Sequence, residues 1–175
     1  VEVFEKGKIS NKIKRTYIEW MKNDWRRFER DESFMKDIPR LILVSKGSPV
    51  SWLWFSKNSQ ISSPNTVRKY ITTLEEMYMV TILEYMDLRG RVVSRKNRKI
   101  HFSDPFFYRI AARLTGMEID LDVLAESVVA SHLARIYKVY YSRNSKEVDV
   151  LSKRNKRDAN KQREHLSFFK LYRLG

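Results

Sequence analysis

From Asn11 to Arg30 the apolar residues recur every three or four positions: Ile13, Tyr17, Trp20, Met21, Trp25 and Phe28. That period predicts an amphipathic helix whose wide aromatic stripe packs on the segment that follows. Phe34, Ile38, Leu41, Ile42 and Val44 predict a second helix over 33–45. Pro39 either kinks it or marks its real start, and Lys46-Gly47-Ser48-Pro49 ends it. Ser51 to Asn58 reads as a short helix capped by Ser51. After a tight connection the next helix starts with Ser63 as cap and Pro64 in the first position. Val67, Ile71, Leu74 and Met77 or Tyr78 form its apolar face.

Beyond this helix the period changes. Met79 to Met86 is β-branched and aromatic, and Ile100 to Phe102 reads as its hairpin partner. Asp104-Pro105 opens a helix over 106–114, which Thr115-Gly116 stops. The best helical pattern runs over 120–137, with Leu121, Leu124, Val128, Leu133 and Ile136 broadly periodic. Lys138 to Ser142 and Glu147 to Ser152 predict two strands around a turn at Arg143-Asn144-Ser145. From Lys153 the chain is highly charged and aperiodic, which predicts a linker, loop or disordered tail. Leu166 to Leu174 is apolar again and fits a short terminal helix or strand.

The charges change the picture. The chain has 35 Lys and Arg against 21 Asp and Glu, a formal net charge of +14. Such an excess favours an anionic partner. On the helix after Pro64, Asn65, Lys69, Thr72 and Thr73 form a polar face, with Arg68 at its edge and no acid. The stretch Leu88 to Lys99 carries Arg89, Arg91, Arg95, Lys96, Arg98 and Lys99, again without an acid. A helix–turn–helix followed directly by a basic hairpin has the chain order of a winged helix. The helix face then suits the major groove, and the hairpin cations suit phosphate or the minor groove.

Other chemistry is narrowed by absence. There is no cysteine, so disulfides, thiol catalysis and Cys-based zinc sites are excluded. His101, His132 and His165 have no metal-ligand spacing, and the sequence contains no GxxxxGK[ST] or GxSxG. No apolar run reaches membrane-spanning length and no signal peptide opens the chain. The expectation is a soluble, cytoplasmic protein with double-stranded DNA as partner, no membrane and no cofactor. Its start at Val1, without Met, suggests a fragment.

The run KGSPVSWLWFSKNSQISSPNTVRKYITTLEEMYMV resembles the winged-helix segment after the ATPase core in a family of archaeal and bacterial AAA-type ATPases. Gly47 to Trp52 and Asn65 to Glu75 carry the likeness. HFSDPFF, AESVVASHL and YYSRNSKEVDVL are similar to the C-terminal domain of those proteins, which is related to the restriction-endonuclease-like fold. Together they cover residues 17–151. The resemblance implies an α+β, helix-rich chain: a winged helix-turn-helix followed by a small, incomplete restriction-endonuclease-like α/β domain. Its expected parts are an aromatic helix over 1–30, a winged-helix domain over 31–104, and an endonuclease-like domain with a basic tail over 105–175.

Three functions follow as expectations. The first is a non-enzymatic DNA-binding module, the C-terminal part of such an ATPase without its P-loop core. The second is a Mg²⁺-dependent nuclease. In it Glu126 matches the family's helical acid and Asp149 its strand Asp, with Glu147 on the same strand face. The E-x-K that completes this motif does not follow Asp149; Glu164 has no Lys two residues on. The third is a protein-interaction module that docks on an ATPase core.

Overall fold

The computed structural model describes residues 10–29, 31, 34, 36–87, 89–143, 147–153 and 166–169; for 147, 153 and 166–169 it describes the backbone alone. The fold is mixed α+β. Helix α1 (Asn11–Arg27) starts at Ser10, whose side chain accepts a hydrogen bond from Ile13 N, and ends with Arg26 and Arg27 against the negative end of its dipole. Met21 and Trp25, one turn apart, are its buried residues, while Tyr17, Trp20 and Phe28 stay exposed. The expected stripe is therefore only half used. Trp25 Nε1 donates to Asp31 O at 2.8 Å and Asp31 N donates to Tyr70 Oη at 2.7 Å, which ties α1 to the helix bearing Tyr70.

Helix α2 (Asp37–Ser45) begins two residues before Pro39, so the proline lies in its first turn and marks its start, while residues 33 and 35 of the expected span lie outside the described residues. Val44 points outward; Ile38, Leu41, Ile42 and Leu43 are buried. Lys46 and Gly47 both take positive φ to leave the helix. Ser51 caps α3 (Trp52–Lys57), and Ser63 caps α4 (Pro64–Glu76), which has Pro64 in its first turn. Strands β1 (Val80–Tyr85) and β2 (Lys99–Phe102) pair antiparallel, with Val80 opposite Phe102 and Leu83 opposite Lys99. Val50, just before α3, pairs with Arg98 through both backbone hydrogen bonds, at 2.9 and 3.0 Å.

Asp104 caps α5 (Pro105–Thr115) and Asp120 caps α6 (Leu121–Ala134). The stripe expected on α6 is corrected: Leu121 and Ile136 are largely exposed, and Val123, Ser127, Ala130 and Ser131 are buried. Small residues let α6 lie close on the sheet. The two serines satisfy their hydroxyls on the carbonyls of Leu124 and Val128. Strand β3 (Lys138–Arg143) pairs parallel with β1, placing Glu84 opposite Tyr140. β4 (Glu147–Lys153) and β5 (Leu166–Phe169) add antiparallel to give the order β2-β1-β3-β4-β5. Of the apolar stretch expected over 166–174, residues 166–169 form a strand, and 170–174 and the charged run over 154–165 lie outside the described residues.

One hydrogen-bonded sheet thus carries the hairpin and the C-terminal strands together, across residue 104. The larger core gathers Trp25, Ile38, Leu41, Phe55, Ile71, Leu74 and Tyr108. A smaller one, around Leu83, Ala130, Val139, Tyr141 and Val150, lies between α6 and the sheet. Among the described residues no helix is long and apolar enough to cross a membrane.

Candidate nucleic-acid interface and an adjoining charge cluster

Helix α4 buries Val67, Tyr70, Ile71 and Leu74, and this fixes which residues face out. Asn65, Arg68 and Lys69 are exposed and Thr72 is half-buried. Thr73 lines the same shallow depression as Asn65, Arg68 and Lys69. It is buried, and its Oγ1 donates to Lys69 O at 3.0 Å, the back-bond a threonine makes inside a helix. The face is not free of acid, because Glu76 lines that depression too.

The hairpin tip is built on Asp87. Its Oδ1 accepts from Arg89 N and Arg91 N, and its Oδ2 accepts from Arg91 Nε at 2.8 Å. The Arg91 backbone N–H foremost holds the Asp87 carboxyl below the usual range. Gly90 takes a φ of 74°, which closes the turn where a side chain would strain it. Arg89, Arg91, Arg95 and Lys96 are all exposed. Arg98 is half-buried. Its guanidinium carbon sits 4.2 Å from the Trp52 ring centroid and its Nη2 donates to Ser94 O at 2.7 Å. Burial lowers its pKa, as does Arg68 nearby, while Glu84 opposes the shift.

Arg68 and Thr72 of α4 and Ser94 and Arg98 of the hairpin line one cavity of about 330 Å³, with Trp52 and the acids Glu75 and Glu84. Helix and hairpin therefore form one continuous surface of mixed charge, cationic on its outer parts.

Lys99 is the clearest departure from the sequence expectation. It is 2% exposed and cannot reach a phosphate. Its Nζ donates to Glu126 Oε1 and to Asp149 Oδ1, both at 2.9 Å, and lies 5.9 Å from the Tyr141 ring centroid. His101, two residues on and so on the same strand face, places Nε2 3.2 Å from the same Glu126 oxygen. That contact is off the hydrogen-bonding direction, and Nε2 has no hydrogen-bond partner. The other ring nitrogen is 3.4 Å from Tyr108 Oη. Gly47 closes the cluster from α2: a Cβ there would stand 3.2 Å from His101 Cε1 and 3.3 Å from Glu126 Oε2.

No family model, no curated protein and no solved structure matches this chain.

The electrostatics of the cluster follow from its members. Burial alone would raise the Glu126 pKa, but His101 and Lys99 outweigh it and hold the carboxyl below its usual range. Burial alone would lower Lys99, and Glu126 and Asp149 outweigh that, holding the ammonium above its usual range. Both groups are thus kept charged. Glu147, the third acid expected here, starts β4 opposite Arg143, and its side chain lies outside the described residues. Among the described residues no group of three or more His, Asp or Glu is gathered as a metal site. The sequence reading brought Glu126 and Asp149 forward but missed Lys99 and His101. Their signal was the alternation Lys99-Ile100-His101-Phe102, one polar and one apolar strand face.

Proposed function

We propose that this chain is a double-stranded-DNA-binding winged-helix module, the C-terminal part of an AAA-type ATPase. α4 enters the major groove through Asn65, Arg68, Lys69 and Thr72. The hairpin rests on the phosphate backbone through Arg89, Arg91, Arg95 and Lys96, with Arg98 at its root held by Trp52. The observation that carries this reading is the shared cavity, which joins α4 to the root of the basic hairpin. The Val50–Arg98 pairing supports it further, since it adds a third backbone segment to the hairpin as a winged helix has.

Fluorescence anisotropy with duplex DNA across a salt series tests this. Four phosphates neutralised by the exposed hairpin cations contribute a log–log slope of about −4. Replacing Arg95 and Lys96 by alanine makes the slope shallower by about 2. Arg68→Ala/Lys69→Ala weakens binding as well. A slope near zero, or variants that match the parent, overturns the reading and leaves this surface as a dock for an ATPase core.

A second reading, a Mg²⁺-dependent nuclease, draws support from one observation: Glu126 and Asp149, from α6 and β4, meet at one ammonium. Plasmid cleavage in Mg²⁺ or Mn²⁺ that is lost in Asp149→Ala would establish it. Intact plasmid after prolonged incubation sinks it.

A further inference from the structure

Two carboxylates that converge on one buried point normally do so around a cation. Here the point is occupied from within the chain. Lys99 Nζ stands 2.9 Å from an oxygen of Glu126 and 2.9 Å from an oxygen of Asp149, and its side chain is 2% exposed. The carboxylates themselves are 13% and 20% exposed. Beside them His101, wholly buried, places Nε2 3.2 Å from the Glu126 oxygen that Lys99 holds. The backbone of Gly47 packs against both side chains.

We infer that the Lys99 ammonium is the resident cation of the Glu126–Asp149 pair, occupying the seat a divalent metal ion would take. The charges support this. Glu126 and Asp149 supply two negative charges and Lys99 returns one. Without Lys99 the pair would match a doubly charged ion. A hard divalent cation takes carboxylate oxygens at ~2.0–2.6 Å, so the two acids need close in by only about half an ångström around the vacated point. The lysine comes from the return strand of the basic hairpin, whereas the acids come from α6 and β4. This inference does not rest on the DNA-binding reading, and it opposes the nuclease reading, which needs a metal ion where Lys99 sits.

Manganese chloride is the probe. The parent protein should bind no Mn²⁺ at this site. Its Lys99 ammonium should appear in a ¹⁵N-lysine spectrum as an exchange-protected signal that Mn²⁺ broadens no more than those of surface lysines. The variant Lys99→Met, checked for parent-like circular dichroism, should bind one Mn²⁺ at least tenfold more tightly than the parent. Lys99→Met/Asp149→Asn should lose that gain. The inference is overturned if Mn²⁺ selectively broadens the Lys99 signal of the parent, or if folded Lys99→Met binds no better than the parent. Should Lys99→Met fail to fold, the parent spectrum alone decides: a protected, unbroadened signal upholds the resident cation and selective broadening refutes it.

Discussion

Glu126 shows how much one buried side chain can hold. It receives Lys99 Nζ at 2.9 Å and lies 3.2 Å from His101 Nε2. Replacing it by glutamine leaves a buried ammonium short of one counter-charge, at a cost of about 3 kcal/mol at neutral pH. The pH dependence has a definite sign. The folded-state pKa of Glu126 lies below its ordinary 4.5, so the stabilisation is complete above that value and is lost as pH falls through the folded one. Lys99, raised above its ordinary 10.5, contributes below that value and loses its contribution as pH rises through the folded one. Urea unfolding of parent and Glu126→Gln should therefore give a constant gap from about pH 8 to about pH 5, narrowing in stronger acid. A gap that persists unchanged in strong acid would mean that the glutamate charge is not its source. Lys99 could not have been placed this way from its own neighbourhood, Arg95-Lys96-Asn97-Arg98-Lys99. Nothing local distinguishes the cation that turns inward, because its partners lie 27 and 50 residues away.

At the level of elements, local signals were faithful and packing signals were not. Ser51, Ser63 with Pro64, and Asp104 with Pro105 each start a helix where expected, since a cap is a contact within one turn. On α6 the apolar period misled: the sheet accepts the small face of Val123, Ser127, Ala130 and Ser131, leaving Leu121 outside. On α4, Thr73 lines the polar depression but is buried. Its hydroxyl is bonded to Lys69 O, so it should add less to a contact than the exposed Arg68. Thr73→Val should leave DNA affinity within a factor of two or so, at a stability cost of about 1 kcal/mol. Arg68→Ala should weaken affinity roughly tenfold, the scale of one charged contact. Anisotropy on the two variants side by side checks this. A Thr73→Val effect as large as that of Arg68→Ala would mean that α4 presents a different face to its partner.

For the whole molecule, the deciding feature is the parallel pairing of β1 with β3. It joins residues far apart in sequence, and no pattern along the chain announces it. The helices around Phe55 and Ile71 and the strands around Val139 and Val150 consequently belong to one sheet-linked body.

Modularity is what this pairing removes. β1 is hydrogen-bonded on both sides, to β2 and to β3. Severing the polypeptide after Asp104 would strip one neighbour away and bare the strand around Glu84 and Tyr85, beside apolar side chains that α6 now covers. An open edge of that kind recruits other chains. A piece comprising residues 1–104 should elute further ahead of its monomer position in size-exclusion chromatography than the full chain does; equal behaviour of the two would mean that the bared strand recruits nothing. The hairpin and its helix thus share their sheet with the second half of the chain.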